Sequence, residues 1–283
     1  MSSSHLKEEN IAMFKDKVET IIAGDESELR KLQLVILEIM KVIDQICQDN
    51  NIDYWIDAGT LLGAKRHGGF IPWDDDCDIC MMRKDYNRFI GLINDQLPEG
   101  LIYENKDCKD WSQKDVDIQP SFLKIFYLGH FSGFERASGL PCLGTFVDIF
   151  PMDPMNDKLI DSKIGKFMHK ISFFRKSKPR KLRDYIKILL QNSGLEERWI
   201  NKCAKLEDNG DAPYIVYGVD TPFMTREFLK KKDQIFPLSS IEFEGCQLKA
   251  PRDVHAYLED LYGDYMEIPP EEERVPHILD LKI

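Results

Sequence analysis

The chain has 283 residues, 43% hydrophobic and 11% aromatic, a composition that supports a sizeable packed core and excludes a disordered chain. Forty-nine acidic residues against 38 basic ones leave a net charge of −11, which argues against a nucleic-acid-binding surface. Seven cysteines, at 47, 77, 80, 108, 142, 203 and 246, are odd in number and scattered, so no disulfide framework is expected and a reducing, cytoplasmic setting fits.

Residues 6–24 read as a first helix. Asp25-Glu-Ser-Glu28 looks like the start of a second, in which Leu29, Leu32, Ile36, Ile39, Ile43 and Ile46 recur every three or four positions as far as about Gln48. Asp49-Asn50-Asn51 ends it, and alternation of Ile52, Tyr54 and Ile56 with polar residues predicts a strand over 52–58. Gly59-Thr60 follows, then the helix-compatible Leu61–Arg66, which Gly68-Gly69 breaks. Cys77–Met82 reads as a strand, Asp85–Leu97 as a helix, and 101–104, 122–128 and 145–150 as short strands. Residues 160–205 read as mostly helical and basic, 213–219 and 241–249 as strands, and Val254–Tyr262 as a helix before a proline-rich tail. There are no repeats, and the elements mix without regular strand–helix–strand spacing, so the expected class is α+β: a mixed sheet with flanking helices and a helical insert. No apolar run approaches the roughly 20 residues that span a bilayer, and Met1–His5 has no charged-then-apolar leader pattern.

Four carboxylates fall within five residues in Trp73-Asp-Asp-Asp-Cys-Asp-Ile79. On a strand, Asp76 and Asp78 project from one face. Like charges so close repel unless a cation lies between them, and hard divalent cations prefer carboxylate oxygens. Such an ion can hold phosphate oxygens and offset charge that develops in phosphoryl transfer. The plainer alternative is a solvated acidic turn. A strand that runs through Gly59-Thr60 into a helix adds a phosphate cradle, since glycine permits close backbone approach and a helix start presents free N–H groups. Alternatively, Thr60 is an ordinary N-cap. Asp148, in the apolar run Thr145–Phe150, needs an ion, a hydrogen bond or a metal, and Lys124 in Phe122–Phe126 needs a phosphate or a carboxylate. The pair Cys77 and Cys80 is expected to pack beside the acidic motif, because no second Cys/His pair lies nearby.

Tyr54-Trp55, Gly59–Arg66 and His67–Ile79 together closely resemble the LicD family, which includes bacterial phosphocholine transferases and is related to fukutin-type enzymes. The likeness continues through Met82–Tyr86, Lys124-Ile125 and Val147–Pro151, then Phe243–Gly245, Tyr257-Leu258, Leu261–Met266, Pro269-Pro270, Arg274 and His277. Residues 156–212 carry no matching motif. The resemblance implies a nucleotidyltransferase-like fold occupying the whole chain as one domain, with 29–155 and 213–283 forming the core and 156–212 a basic helical segment. It implies Asp76, Asp78 and Asp148, with Asp74, as ligands of Mg²⁺ or Mn²⁺, and Gly59 and Thr60 as phosphate-facing. Arg66 and Arg83 join them as donor-binding candidates, and Lys124 and His277 as catalytic ones. It implies a donor such as CDP-choline and a sugar hydroxyl on a surface glycan or its precursor as acceptor; related eukaryotic enzymes carry a zinc-binding insert whose cysteine spacing is missing here, so no zinc is expected. Tyr54, Trp55 and Trp73 could cage a quaternary ammonium, but strand and loop aromatics of this kind are more often core.

The same metal site would serve a nucleotidyltransferase that releases pyrophosphate, and a catalytically silent nucleotide-binding module is the third reading. Residues 163–187 hold ten Lys or Arg and one acid, with Phe167, Ile171, Phe173, Phe174, Leu182, Ile186, Leu189 and Leu190 interleaved. That pattern predicts either a peripheral contact with an anionic membrane or a solvated helix face whose aromatics pack inward.

Overall fold

A computed structural model describes residues 3–105, 118–119, 122–135, 141–172, 175–176 and 181–283. In chain order the elements are α1 (Ser3–Ala23), α2 (Glu28–Asp49), β1 (Trp55–Ile56), α3 (Ala58–His67), β2 (Asp78–Met82), α4 (Arg83–Gln96), β3 (Leu101–Glu104), β4 (Ile118–Gln119), β5 (Leu123–Glu135) and β6 (Pro141–Met155). The second half continues with α5 (Asp157–Ile160), α6 (Lys163–Ser172), β7 (Arg175–Lys176), α7 (Leu182–Gln191), α8 (Leu195–Asp208), β8 (Tyr214–Tyr217) and β9 (Lys230–Lys231). It closes with α9 (Lys232–Ile235), β10 (Ser239–Phe243), β11 (Cys246–Ala250), α10 (Val254–Tyr262) and β12 (Ile278–Lys282).

The fold is α+β, as expected. An eight-stranded mixed sheet runs β1-β2-β6-β5-β12, with β3 also on β5 and β8 linking β6 to β9. Only β2 and β6 run parallel; the other pairs in this sheet are antiparallel. Helix α2 starts at its cap Ser27, whose side chain accepts from the Arg30 N–H, and lays a stripe of buried Leu32, Ile36, Ile39 and Ile43 against the sheet. The main core gathers this stripe with Ile79, Met81, Ile125, Val147 and Ile149. A second apolar cluster, built on Met155, Met168, Trp199, Cys203 and Val216, joins α6 and α8 to the end of β6 and to β8.

Four expectations are corrected. The predicted strand 52–58 shrinks to Trp55–Ile56, because Asp57 already serves as N-cap residue and α3 begins at Ala58. Gly59 and Thr60 therefore lie inside the first helical turn, where backbone N–H groups have no intrahelical acceptor. The predicted strand 241–249 is a hairpin, turned by Glu244 and Gly245 at φ 52° and 73°, which makes β10 and β11 partners. Strands β5 and β6 extend well beyond the apolar runs that announced them, since their ends pair with each other and with β12. The proline-rich tail contributes β12 to the sheet, where Ile278 lies opposite Glu135.

Candidate acidic active site

The site lies where α3 begins against the start of β2 and the middle of β6. Parallel pairing sets Asp78 beside Asp148, antiparallel pairing sets Lys124 on the other side of Asp148, and Glu104 lies beyond Lys124. Residues paired across adjacent strands share a sheet face, so one row crosses the sheet with alternating need: two carboxylates, an ammonium, a carboxylate. The Lys124 ammonium pairs with the Asp148 carboxylate and also sits 3.9 Å from the centre of the Phe146 ring. A buried carboxylate thus meets the requirement that Lys124 posed as a cation in an apolar strand.

The loop 73–77 brings the other acids to the same corner. Asp74 reaches back to α3, and a Cβ on Gly59 would stand 2.8 Å from its Oδ2, so glycine is what lets that carboxylate lie against the helix start. The Asp78 N–H donates to Thr60 Oγ1 at 2.8 Å, which makes the Thr60 hydroxyl a clasp between α3 and β2. Just before it, Ala58 turns through φ 44°, a left-handed conformation uncommon for a residue with a Cβ. Asp57 underneath is fully buried. It accepts from Tyr257 Oη at 2.6 Å, from the Tyr217 hydroxyl and from Cys80 Sγ. Burial opposes its charge, but Lys230 and the two hydroxyls outweigh burial and hold its carboxyl below the ordinary range.

The remaining acids face each other. Burial, and then the neighbouring Asp76 charge, pushes Asp74 up to about 7. Burial raises Asp76 as well, with His277 and Lys124 working against it. Asp78 rises well above the carboxylate range through burial and the charges of Asp76 and Asp148. Hard oxygen donors that burial and mutual repulsion keep from ionising are a donor set that suits a divalent cation. Among the described residues, ligand atoms of Asp74, Asp75 and His277 lie within 4.8 Å of one another.

His277 Nδ1 lies 3.0 Å from Asp75 Oδ1 and 3.4 Å from Asp76 Oδ2. The Asp75 hydrogen bond, ahead of the opposing effect of burial, lifts the imidazole to about 9, so it is a cation at neutral pH. Asp75 also accepts from the N–H groups of His277 (3.0 Å) and Ile278 (2.6 Å), and these bonds tie the tail to the acidic loop. Arg274 lies over the Trp73 ring at 5.2 Å on the same side. Tyr54 and Trp55 are fully buried core residues, as expected for strand aromatics.

Asp74, Asp76, Asp78, Asp148, Lys124, Gly59, Thr60 and His277 therefore come together. Arg66 and Arg83 instead hold protein partners. Arg66 donates to the carbonyls of Tyr265 and Glu267 at 2.9 and 3.0 Å. Arg83, its side chain 13% exposed, donates from Nε to Asp153 at 3.0 Å and from its terminal nitrogen to Asp220 at 2.6 Å. Sequence reasoning missed Asp57, gave Asp75 no role beyond membership of the acidic cluster, and singled out Tyr262 only as part of the stretch Leu261–Met266. The Tyr262 ring is exposed, yet burial of its hydroxyl and the charges of Asp57, Asp78, Asp74 and Asp76 raise its phenol. Asp57 had a local signal, as the residue immediately before Ala58-Gly59-Thr60. Tyr262 had only its place in the family-like stretch Leu261–Met266, and its approach to the site was not legible there, since α10 meets α3 only in the folded chain.

Comparison with known proteins places these residues in context. The family model described as LicD/FKTN/FKRP, nucleotidyltransferase domain, matches residues 51–190. The lipopolysaccharide cholinephosphotransferase LicD of Haemophilus influenzae is 29% identical over 274 residues, spanning 88% of this chain and 95% of that protein. An uncharacterized protein of Rickettsia typhi is 49% identical over 63 residues, 22% of this chain and 20% of its own length. The ribitol 5-phosphate transferase FKRP of Homo sapiens is 38% identical over 48 residues, covering 17% of this chain and 10% of that protein.

Proposed function

The chain is a member of the LicD family, and on that premise we propose that it moves an alcohol phosphate, such as phosphocholine, from a CDP-activated donor to a sugar hydroxyl of a glycan or its precursor. It is a transferase of phosphorus-containing groups, the class to which a cholinephosphotransferase and a ribitol 5-phosphate transferase both belong. The observation that carries the reading is the gathering of Asp74, Asp76, Asp78 and Asp148 at one corner beside the first turn of α3, with Asp78 paired to Asp148, Asp74 against Gly59, and Asp74 and Asp76 both near His277. A phosphate donor brings negative charge, and such a group of carboxylates would repel it without a cation.

Asp76, Asp78 and Asp148, with Asp74, would hold Mg²⁺ or Mn²⁺, which supplies charge neutralisation for donor phosphates and for the group in transfer. The chain's own residues do the rest. The N–H groups of Gly59 and Thr60 at the start of α3 would face the anion, and Gly59 would keep that approach open. Lys124 holds Asp148 in place. As the acceptor oxygen bonds to phosphorus, the bond to the CMP oxygen breaks and the hydroxyl proton passes to a nearby base, for which Asp148 is a candidate. His277, already protonated at neutral pH, fits better as a positive neighbour of the phosphates than as the proton acceptor.

We treat the whole chain as one domain, a reading supported by β8 and β12 joining the same sheet as β2 and β6. The reducing, cytoplasmic setting remains part of the proposal and rests on the scattered cysteines. Among the described residues no helix is long and apolar enough to cross a membrane. Incubation with CDP-choline, other CDP-alcohols or CTP, plus Mg²⁺ or Mn²⁺ and a mixed glycan acceptor, is read by mass spectrometry. CMP and a phosphodiester product are expected. Pyrophosphate with a nucleotidylated acceptor would instead favour the nucleotidyltransferase, and binding without turnover the silent module.

A further inference from the structure

Helix α7 exposes Leu182, Tyr185, Ile186 and Leu189, with relative exposures of 77, 54, 49 and 69%. Their spacing of three, four and seven places them on one face. The helix's other side is anchored: Gln191 is buried and donates to the carbonyl of Ile171, and Asp184 is buried. Helix α6, which contacts α7, repeats the pattern. Its Met168 and Ile171 join the second apolar cluster, whereas Ile164 and Phe167 face water at 46 and 47%. Six of the large apolar side chains that the described residues expose thus belong to two adjacent helices. The expectation that the aromatics of this segment pack inward fails for Phe167; of the aliphatic residues, Ile171 is buried and Leu190 packs against the second cluster, whereas Leu182, Ile186 and Leu189 are exposed. Phe173, Phe174 and residues 177–180 lie outside the described residues.

Along α6 and α7 themselves the exposed charge has one sign. Lys163, Lys166, Lys170, Lys181 and Arg183 are exposed and Lys187 is half-buried. Asp184 is the sole acid between positions 163 and 191, and it is buried, its carboxylate 3.7 Å from Arg183. This occurs in a chain of net charge −11. A second copy presenting the same face would bring cations against cations. A sheet of anionic headgroups above hydrocarbon satisfies both features at once: it pairs the lysines and takes up the leucines.

We propose that α6 and α7 form a peripheral docking surface for an anionic lipid bilayer, with Leu182, Tyr185, Ile186 and Leu189 entering the headgroup boundary and the flanking lysines and Arg183 meeting lipid phosphates. None of these residues belongs to the acidic site, so the surface stands whether or not the proposed donor is right. Its role would be to hold the enzyme beside an acceptor that is itself carried at a membrane surface.

The test is co-sedimentation of the full chain with vesicles of pure phosphatidylcholine or of phosphatidylcholine mixed with phosphatidylglycerol, whose negative surface potential attracts basic segments. Binding to the anionic vesicles alone is expected, falling about tenfold or more between low and high salt as screening demands. The double variant Leu182→Gln/Leu189→Gln, whose changes lie in water and leave the fold intact, should lose about tenfold in partitioning. Lys181→Glu/Arg183→Glu should lose at least as much, while CMP release from a soluble donor and acceptor stays at the wild-type rate in both. Absence of binding at low salt, equal binding to both vesicle types, or wild-type binding by both variants would overturn the proposal. So would concentration-dependent dimerisation in sedimentation velocity that the Leu182→Gln/Leu189→Gln variant abolishes.

Discussion

Asp78 is a carboxylate that the fold disfavours and the proposed chemistry requires. Burial and its neighbours Asp76 and Asp148 raise it well above the ordinary range, so Asp78→Asn removes a repulsion and should leave the metal-free protein as stable as wild type or slightly more so. Turnover should fall by about 10³-fold or more, because the lost oxygen would be a ligand. Asp76→Asn should behave alike, and near-normal rates in both would remove them from the site. Asp74 and His277 make the same corner pH-sensitive. For Asp74 the folded value of about 7 lies above the unfolded carboxylate value, so the folded state binds the extra proton and stability falls as pH rises toward 7. For His277 the folded value of about 9 also lies above its unfolded value, so its contribution is full below about pH 6.5 and is lost as pH rises through 9. Both act in one direction. Thermal unfolding of the metal-free protein should show a melting temperature that declines from pH 5 to pH 9. Added Mg²⁺ or Mn²⁺ should raise it most at the alkaline end, where protons no longer compete for the carboxylates. A melting temperature that rises over this range would contradict the assignment.

At the scale of elements, β12 is held by its pairing with β5 and by one carboxylate at its start. Asp75 accepts from two backbone N–H groups of the tail and from the His277 ring, and its side chain is 1% exposed. Asp75→Ala leaves those donors unpaired and should cost about 2–4 kcal/mol in chemical denaturation. Hydrogen exchange at residues 278–282 should quicken more than at β2 or β6. Uniform exchange would show that β12 is held by other means. The tail's role was not legible locally, because an edge strand after prolines carries little alternation and its register follows from a carboxylate some 200 positions earlier in the chain. The α2 stripe, by contrast, was legible to within a few residues, since a helix buries one face whatever sheet it meets. The 241–249 segment reads as one strand by its alternation, but two successive positive φ values at Glu244-Gly245 turn it into two.

Over the whole molecule, Arg83 joins the start of α4 to Asp153 on β6 and to Asp220 beyond β8. Removing one partner of a buried ion-paired group typically costs 3–5 kcal/mol, so Arg83→Met should lose about 3 kcal/mol or more, and activity should fall with the folded fraction at unchanged KM. If Arg83 bound the donor instead, KM would rise while stability held. What the sequence determined by itself is whatever short-range order encodes: the amphipathic α2, the α+β class, the clustered acids 74–78 and the glycine before them. Periodicity and spacing carry that information because neighbours along a helix or strand are neighbours in space. The tertiary structure alone decided that Asp148 stands beside Asp78, that Lys124 answers Asp148, that Asp57 and Tyr262 approach the same corner, and that Asp75 holds the tail. It also decided that Arg66 and Arg83 already have protein partners, and that the apolar side chains of α7 face water. Each of these depends on which distant strand or helix lies opposite, and strand register and helix docking follow from the balance of the whole core, which no local window of residues contains.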